Sequence, residues 1–246
     1  MTPSWYLDPL VARQKRDEHL ALLRTWCDGH RGVMLKTDLF EEAHGADELL
    51  SAFPSYATIV GMDLVPETAF RARGRTLASV RCLASDVRRL ALAGGSVSVI
   101  FSNSTLDHFD LTRDLEAAIR ELVRVLRPGG LLIVTLDNPR NPLYGLLKWV
   151  SRRGWVSIRL GHTLSRHELA DRMRSAGLEI VGSRVLIHNP RLVSTAIFFL
   201  LRRALGRHAD VPIRFLLAAF DRLGRLPTRE RTACFVAVCG RKPTSR

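Results

Sequence analysis

Between Ser96 and Pro139 the chain reads SVSVIFSNSTLDHFDLTRDLEAAIRELVRVLRPGGLLIVTLDNP, and its apolar period changes twice. That double change constrains the fold more than any other stretch. Val97–Phe101 is a short β-branched run, the pattern of a strand buried on both faces. Leu115, Ile119, Leu122, Val123 and Leu126 then recur at helical spacing as one continuous stripe. Asp110 or Thr112 can cap that helix, and Asp114 and Glu116 suit the positive end of its dipole. Arg127-Pro128-Gly129-Gly130 is predicted to stop it, and Leu131–Leu136 reads as a second buried strand. Strand, helix and strand of these lengths close as a right-handed crossover, so the two strands are predicted to be parallel neighbours. The loop Asn103–Phe109 then lies at the carboxyl end of a parallel strand, where ligands bind in open α/β sheets.

A polar loop containing His108, then a helix ending Leu126-Arg127-Pro128-Gly129-Gly130 before a strand, resembles the class I S-adenosylmethionine (SAM)-dependent methyltransferases, type 11-like. The resemblance runs from about Arg31 to Lys242. It implies an α/β, three-layer Rossmann-like sandwich around a seven-stranded, mostly parallel sheet with an antiparallel terminal hairpin. An N-terminal helix and a helical lid insertion complete that expectation, with SAM as cofactor and a small-molecule acceptor. The segments expected are a helical cap at 1–30, a SAM-binding core at 31–139, lid and helical insertions with the sixth strand at 140–232, and a last strand and tail at 233–246, all in one domain.

Taken in order, Trp5-Tyr6-Leu7-Asp8-Pro9 precedes a helix from about Pro9 to Trp26, with Leu20, Leu23 and Trp26 on one side. The start resembles the cap of some methyltransferases. Val33–Lys36 reads as the first strand. Family members follow it with an acidic residue and a glycine-rich loop, because the backbone must approach the cofactor with no Cβ in the way. Here the chain reads Lys36-Thr37-Asp38-Leu39-Phe40-Glu41-Glu42-Ala43-His44, with no glycine before Gly45. Thr37 and Asp38 offer a hydroxyl and a carboxylate to an ammonium group, and Lys36 could meet a carboxylate. The same residues read equally well as the first turn of a helix carrying Leu39, Ala43, Ala46 and Leu50.

Ala57–Met62 is the next strand, with Asp63 at its tip and Leu64 after it. A carboxylate there accepts from both ribose hydroxyls, or else caps the helix opened by Val65-Pro66-Glu67. Val80–Ala84 is the third strand; by resemblance Asp86 accepts from the adenine amino group and Val87 packs on the ring. Asn103, which ends the fourth strand, is expected with Lys36, Thr37, Asp38, Asp63, Leu64, Asp86 and Val87 to bind the cofactor. His108 is the candidate catalytic base, against a structural histidine bonded near Asp107 or Asp110. No residue pattern suggests a metal.

Past Asn138, Pro142–Val150 is apolar for an insertion and suggests a lid over a hydrophobic or lipid-like acceptor. Ser165-Arg166-His167-Glu168 is a capping box opening a helix that Gly177 ends. Leu178–Ile187 and Ala233–Gly240 are the sixth and seventh strands. Between them, 192–226 holds two apolar helical blocks broken by arginines. Packing on the core is the economical reading; contact with a membrane surface and a homodimer interface are the others.

Lys+Arg of 37 against Asp+Glu of 24 gives a net charge of +13. The excess is scattered arginine without interleaved aromatics, so no nucleic-acid partner is expected. Cys27, Cys82, Cys234 and Cys239 lack metal or redox spacing, which suggests reduced thiols and a cytoplasmic location. No signal-peptide pattern and no apolar run of ~18 residues is read. A nicotinamide-dependent oxidoreductase is disfavoured by the missing G-x-G-x-x-G. A SAM-fold protein that binds without transferring a methyl group remains the alternative to an enzyme.

Overall fold

The computed structural model describes residues 8–45, 49–52, 56–77, 79–154 and 160–244; Trp5-Tyr6-Leu7 and Ala46 of the sequence reading lie outside them. At its centre, β1 (Val33–Thr37) pairs in parallel with both β2 (Thr58–Asp63) and β4 (Val97–Asn103). β3 (Val80–Ala84) extends one side, and β5 (Leu126–Asp137) extends the other. β7 (Phe235–Arg241) runs antiparallel between β5 and β6 (Glu179–Leu186), giving the sheet order β3-β2-β1-β4-β5-β7-β6. The chain reverses direction along the sheet between β1 and β4, and the crevice outside the carboxyl ends of the strands at such a switch point is where open α/β sheets bind ligands.

Nine helices flank the sheet among the described residues: α1 (Pro9–Cys27), α2 (Phe40–His44), α3 (Pro66–Arg73), α4 (Thr112–Val125), α5 (Tyr144–Arg152), α6 (Arg166–Ser175), α7 (Arg191–Leu205), α8 (Asp210–Asp221) and α9 (Arg229–Thr232). α1 starts where expected because Asp8 accepts from the Leu10 amide at 2.9 Å and Pro9 is preset for the first turn. The predicted capping box is present at α6, with Ser165 and Glu168 bonded reciprocally. Both faces of the sheet are covered. On one, Leu20, Leu23, Leu39 and Leu50 meet Met34, Val99 and Phe101; on the other, Leu115, Ile119, Leu122 and Met173 meet Ile100, Leu132 and Val134.

Two expectations are corrected at the crossover. α4 is capped by neither Asp110 nor Thr112: its first residue follows Leu111, with no side-chain cap. Arg127-Pro128-Gly129-Gly130 is not a free turn but part of β5. The chain after β7 draws it into the sheet: Gly129 donates to the Lys242 carbonyl at 2.8 Å, and Lys242 donates back to Gly130 at 3.0 Å. The glycine freedom is still used, since Gly129 has φ of 74°.

The 192–226 segment packs on the core side through α7 and α8, where Phe198, Ala209, Ile213 and Leu217 close around Leu10 of α1. Among the described residues no helix is long and apolar enough to cross a membrane.

The loop after β1 is the point where this fold departs from its glycine-rich pattern. Lys36 lies 1% exposed and donates to Glu42 at 2.7 Å and to the Asp38 carbonyl at 2.5 Å. Burial works against its charge, but the carboxylates of Glu42, Asp38 and Glu41 outweigh burial and raise its pKa. Removing one partner of such a pair leaves an uncompensated interior charge. Glu42→Gln is therefore expected to cost about 3–5 kcal/mol in urea denaturation. Lys36→Met combined with Glu42→Leu should recover most of that loss.

Candidate functional site

The crevice at the switch point is built from the tips of β1, β2, β3 and β4. At the tip of β1, the Thr37 hydroxyl bonds Ser102 at 3.0 Å and Thr105 at 2.6 Å, knitting β1 to β4 across their parallel register. Asp38 adopts φ of 71°, the left-handed region that asparagine and aspartate tolerate best. Its Oδ1 accepts from the Phe40 amide at 2.7 Å and so starts α2. Burial raises the Asp38 pKa, with Lys36 opposing that shift.

Asp63, at the tip of β2, accepts from the Leu39 amide through Oδ2 and from the Val65 amide through Oδ1, both at 2.9 Å. It is not the N-cap of α3, which is Val65. It ties the loop after β1 to the end of β2, and each carboxylate oxygen has capacity for a further donor. Leu64 beside it is exposed. Thr37, Asp38 and Asp63 are thus brought together on one rim.

The other expected residues are engaged elsewhere. Lys36 is buried against α2, so its ammonium does not face the crevice. Asp86 is gripped by Arg88, whose Nη2 donates at 2.7 Å and whose Nε reaches both oxygens at 3.1 Å. Those bonds hold the carboxyl below its usual range. Val87 is buried among Val60, Met62 and Leu90. The Asn103 side chain accepts from the Thr135 hydroxyl at 2.8 Å and braces β4 against β5. His108 ends a 3-10 turn (Leu106–His108) with its side chain exposed.

A second group of polar residues escaped the sequence reading. Asp107, one position before His108, is 1% exposed at the carboxyl edge. Its Oδ2 accepts from the Asp137 amide at 2.8 Å, while its Oδ1 has no partner among the described residues. Burial, and then the charge of Asp137, push its pKa up to about 6. Arg191 at the start of α7 pairs with Asp137 and lies over the Phe235 ring at 4.6 Å. The Tyr144 hydroxyl and Ser104 Oγ are also buried without partners among the described residues. Tyr144, Leu147, Arg191 and Cys234 line a cavity of about 10 Å³ here. Overhead, α1 reaches in with Lys15, which bonds Glu41 at 2.6 Å. His19 is edge-on to Phe101 and held neutral by burial and by Lys15, its pKa lowered to about 3.

The only sequence signal for Asp107 was the Asp-His dipeptide itself, in which either residue could have faced inward. Arg191 stands 54 positions from Asp137 and carried no local signal. Among the described residues no group of three or more His, Cys, Asp or Glu is arranged for a metal ion.

A buried carboxyl with a folded pKa near 6 and an ordinary value of 3.8 stabilises the fold most when protonated. That contribution is complete below about pH 4 and lost as pH rises through 6. Asp107→Asn keeps an acceptor for the Asp137 amide and removes the charge. It is expected to raise stability at pH 8 by about 1–3 kcal/mol, with the gain vanishing at pH 4, by thermal denaturation at both values.

Comparison with known proteins gives a partial family match and a shared fold. The family model for a methyltransferase domain matches residues 43–134, beginning just past the divergent loop. A malonyl-acyl-carrier-protein O-methyltransferase from Halorhodospira halophila is 31% identical over 127 residues, 49% of this chain and 40% of that protein. The chain spans less than half the length of the curated relatives it matches. Among solved structures, geranyl diphosphate methyltransferase in complex with SAM aligns with a TM-score of 0.60 at 17% identity. That alignment covers 94% of this chain and 87% of the other. The (4+2)-cyclase SpnF aligns with a TM-score of 0.61 at 19% identity, covering 96% and 82%. At such identities these two structures show the fold alone. The sheet order with its antiparallel β7 is the fold these structures share, and over 43–134 the chain is similar to the methyltransferase-domain family.

Proposed function

We propose that the chain transfers a methyl group from SAM to a small, largely apolar acceptor. The observation that carries this is Asp63, held rigid at the tip of β2 by two backbone amides with a lone pair of each oxygen left for a ribose hydroxyl. When bound, SAM supplies an electrophilic methyl group on a sulfonium. Asp63 would hold the ribose, Asp86 would accept from the adenine amino group, and Asp38 would receive the amino-acid ammonium, while Val87 stays in the core beneath. Asp86 would accept while keeping its Arg88 pair. Lys36 would act from behind, fixing the Asp38 carbonyl so that the loop keeps its shape without glycines.

For the acceptor, what the chain contributes is positioning at near-attack distance and exclusion of water. The small cavity beneath α5 and the start of α7 holds at most about one water, so an acceptor would be admitted by movement of either helix. A hydroxyl or protonated nitrogen would also need a base. Asp107 is better placed for that than the exposed His108, being buried with Oδ1 free of partners among the described residues. Four free cysteines, three of them buried, fit a reducing cytoplasmic setting.

A second reading has an observation of its own. Leu39 is fully buried where a glycine would let the cofactor approach, and the family match starts only at Ala43. A SAM-fold protein that binds a ligand without transfer would also look like this. Calorimetry with SAM, its demethylated product and NAD tests the assignment: the first two should bind and NAD should not. Asp63→Ala is expected to weaken SAM by about 1.5–3 kcal/mol, the worth of hydrogen bonds to a charged group. Asp38→Asn should weaken SAM more than adenosine. Absence of binding by SAM and its product at millimolar concentration would overturn the enzyme reading; binding with a silent Asp38→Asn would remove only the role given to Asp38.

A further inference from the structure

We propose that the outward face of α7 and α8 docks on an anionic lipid bilayer, with the helices lying in the membrane surface. Both helices bury one side through Phe198, Ile213 and Leu217 against α1. Their other side carries large apolar residues in water: Val193 is 50% exposed, Leu200 62%, Val211 75% and Phe215 70%. On α7, Val193, Leu200 and Arg203 recur at i, i+7 and i+10; on α8, Val211 and Phe215 are four apart, so each helix presents a stripe. Two such stripes on consecutive helices exceed the scattered apolar exposure normal for a protein surface.

The charge around these stripes selects the partner. Residues 191–226 contain seven arginines and two aspartates. Both aspartates are engaged, Asp210 by Arg202 at 2.5 Å and Asp221 by Gln14 at 2.6 Å. Arg203 and Arg207 form no ion pair with the described residues and flank the apolar stripe of α7. An apolar stripe beside guanidinium groups fits the boundary between lipid phosphates and acyl chains, where arginine binds phosphate with two parallel hydrogen bonds. A second copy of the chain fits worse, because a two-fold contact would set this arginine-rich face against itself. α7 has 15 residues, too few for the roughly 20 needed to span a bilayer. The docked face also adjoins the small cavity, since α5 and the start of α7 share its walls and Trp149 of α5 is 46% exposed. The proposal stands on this surface and does not require methyl transfer.

Vesicle flotation of the full chain tests it, with phosphatidylcholine containing about 30% phosphatidylglycerol compared with phosphatidylcholine alone. The chain should float with the anionic vesicles only and be released by ~0.5 M salt. Leu200→Ser with Phe215→Ser should lower binding roughly tenfold or more. Arg203→Gln and Arg207→Gln should each lower it about fivefold. These side chains are exposed, so circular dichroism should be unchanged and folding separable from docking. Absence of flotation would overturn the proposal, as would equal binding to both vesicles. Self-association in size-exclusion chromatography that is lost in the double serine variant, without vesicle binding, would reassign the face to a contact between copies.

Discussion

Lys36 carries a positive charge into the interior at the point where the chain leaves β1, and Glu42 in the following helix answers it at 2.7 Å. In the glycine-rich version of this loop the backbone itself can approach a ligand. Here the turn is made by side chains: Lys36 fixes the Asp38 carbonyl, Asp38 starts α2, and Asp63 reaches across from β2 to hold the Leu39 amide. A buried ion pair adds little net stability over an apolar pair, but it is severe on a missing partner. What the pair provides is definition of shape, and Asp63 depends on that shape because one of its two amide donors lies in the loop.

Two carboxylates at the carboxyl edge occupy opposite electrostatic positions. Asp63 is satisfied by backbone donors at a half-open rim, a setting suited to recognition of neutral hydroxyls. Asp107 is sealed beside Asp137, and burial makes its proton hard to lose. Arg191 joins the second position to the C-terminal helices, since the residue that neutralises Asp137 is also the first residue of α7.

The crossover from Val97 to Leu136 was legible in the sequence because its information is local. A switch from β-branched runs to a helical stripe and back is written in consecutive residues, and burial on both faces follows from it. The same holds for the capping box at Ser165 and for α1, where Asp8 and Pro9 act within a few positions. The seven-stranded, mostly parallel sheet with its antiparallel end came from resemblance carried by the Arg-Pro-Gly-Gly stretch, although its glycines were expected in a free turn and belong to β5. Pairing with Lys242, more than a hundred residues away, decided that.

Tertiary structure alone decided which polar residues share a site. Lys36 and Asp38 are near neighbours in the chain, yet one faces the interior and the other the crevice, because Glu42 lies on only one side of the strand. Asp107 and His108 are adjacent, and a single 3-10 turn buries the first and exposes the second. Arg191 pairs with Asp137 and lies over the ring of Phe235, which β7 places directly opposite Asp137 in the sheet. Sequence periodicity assigns each residue to a face of its own element. Which face meets which partner depends on contacts between distant segments, and no pattern in neighbouring residues encodes them.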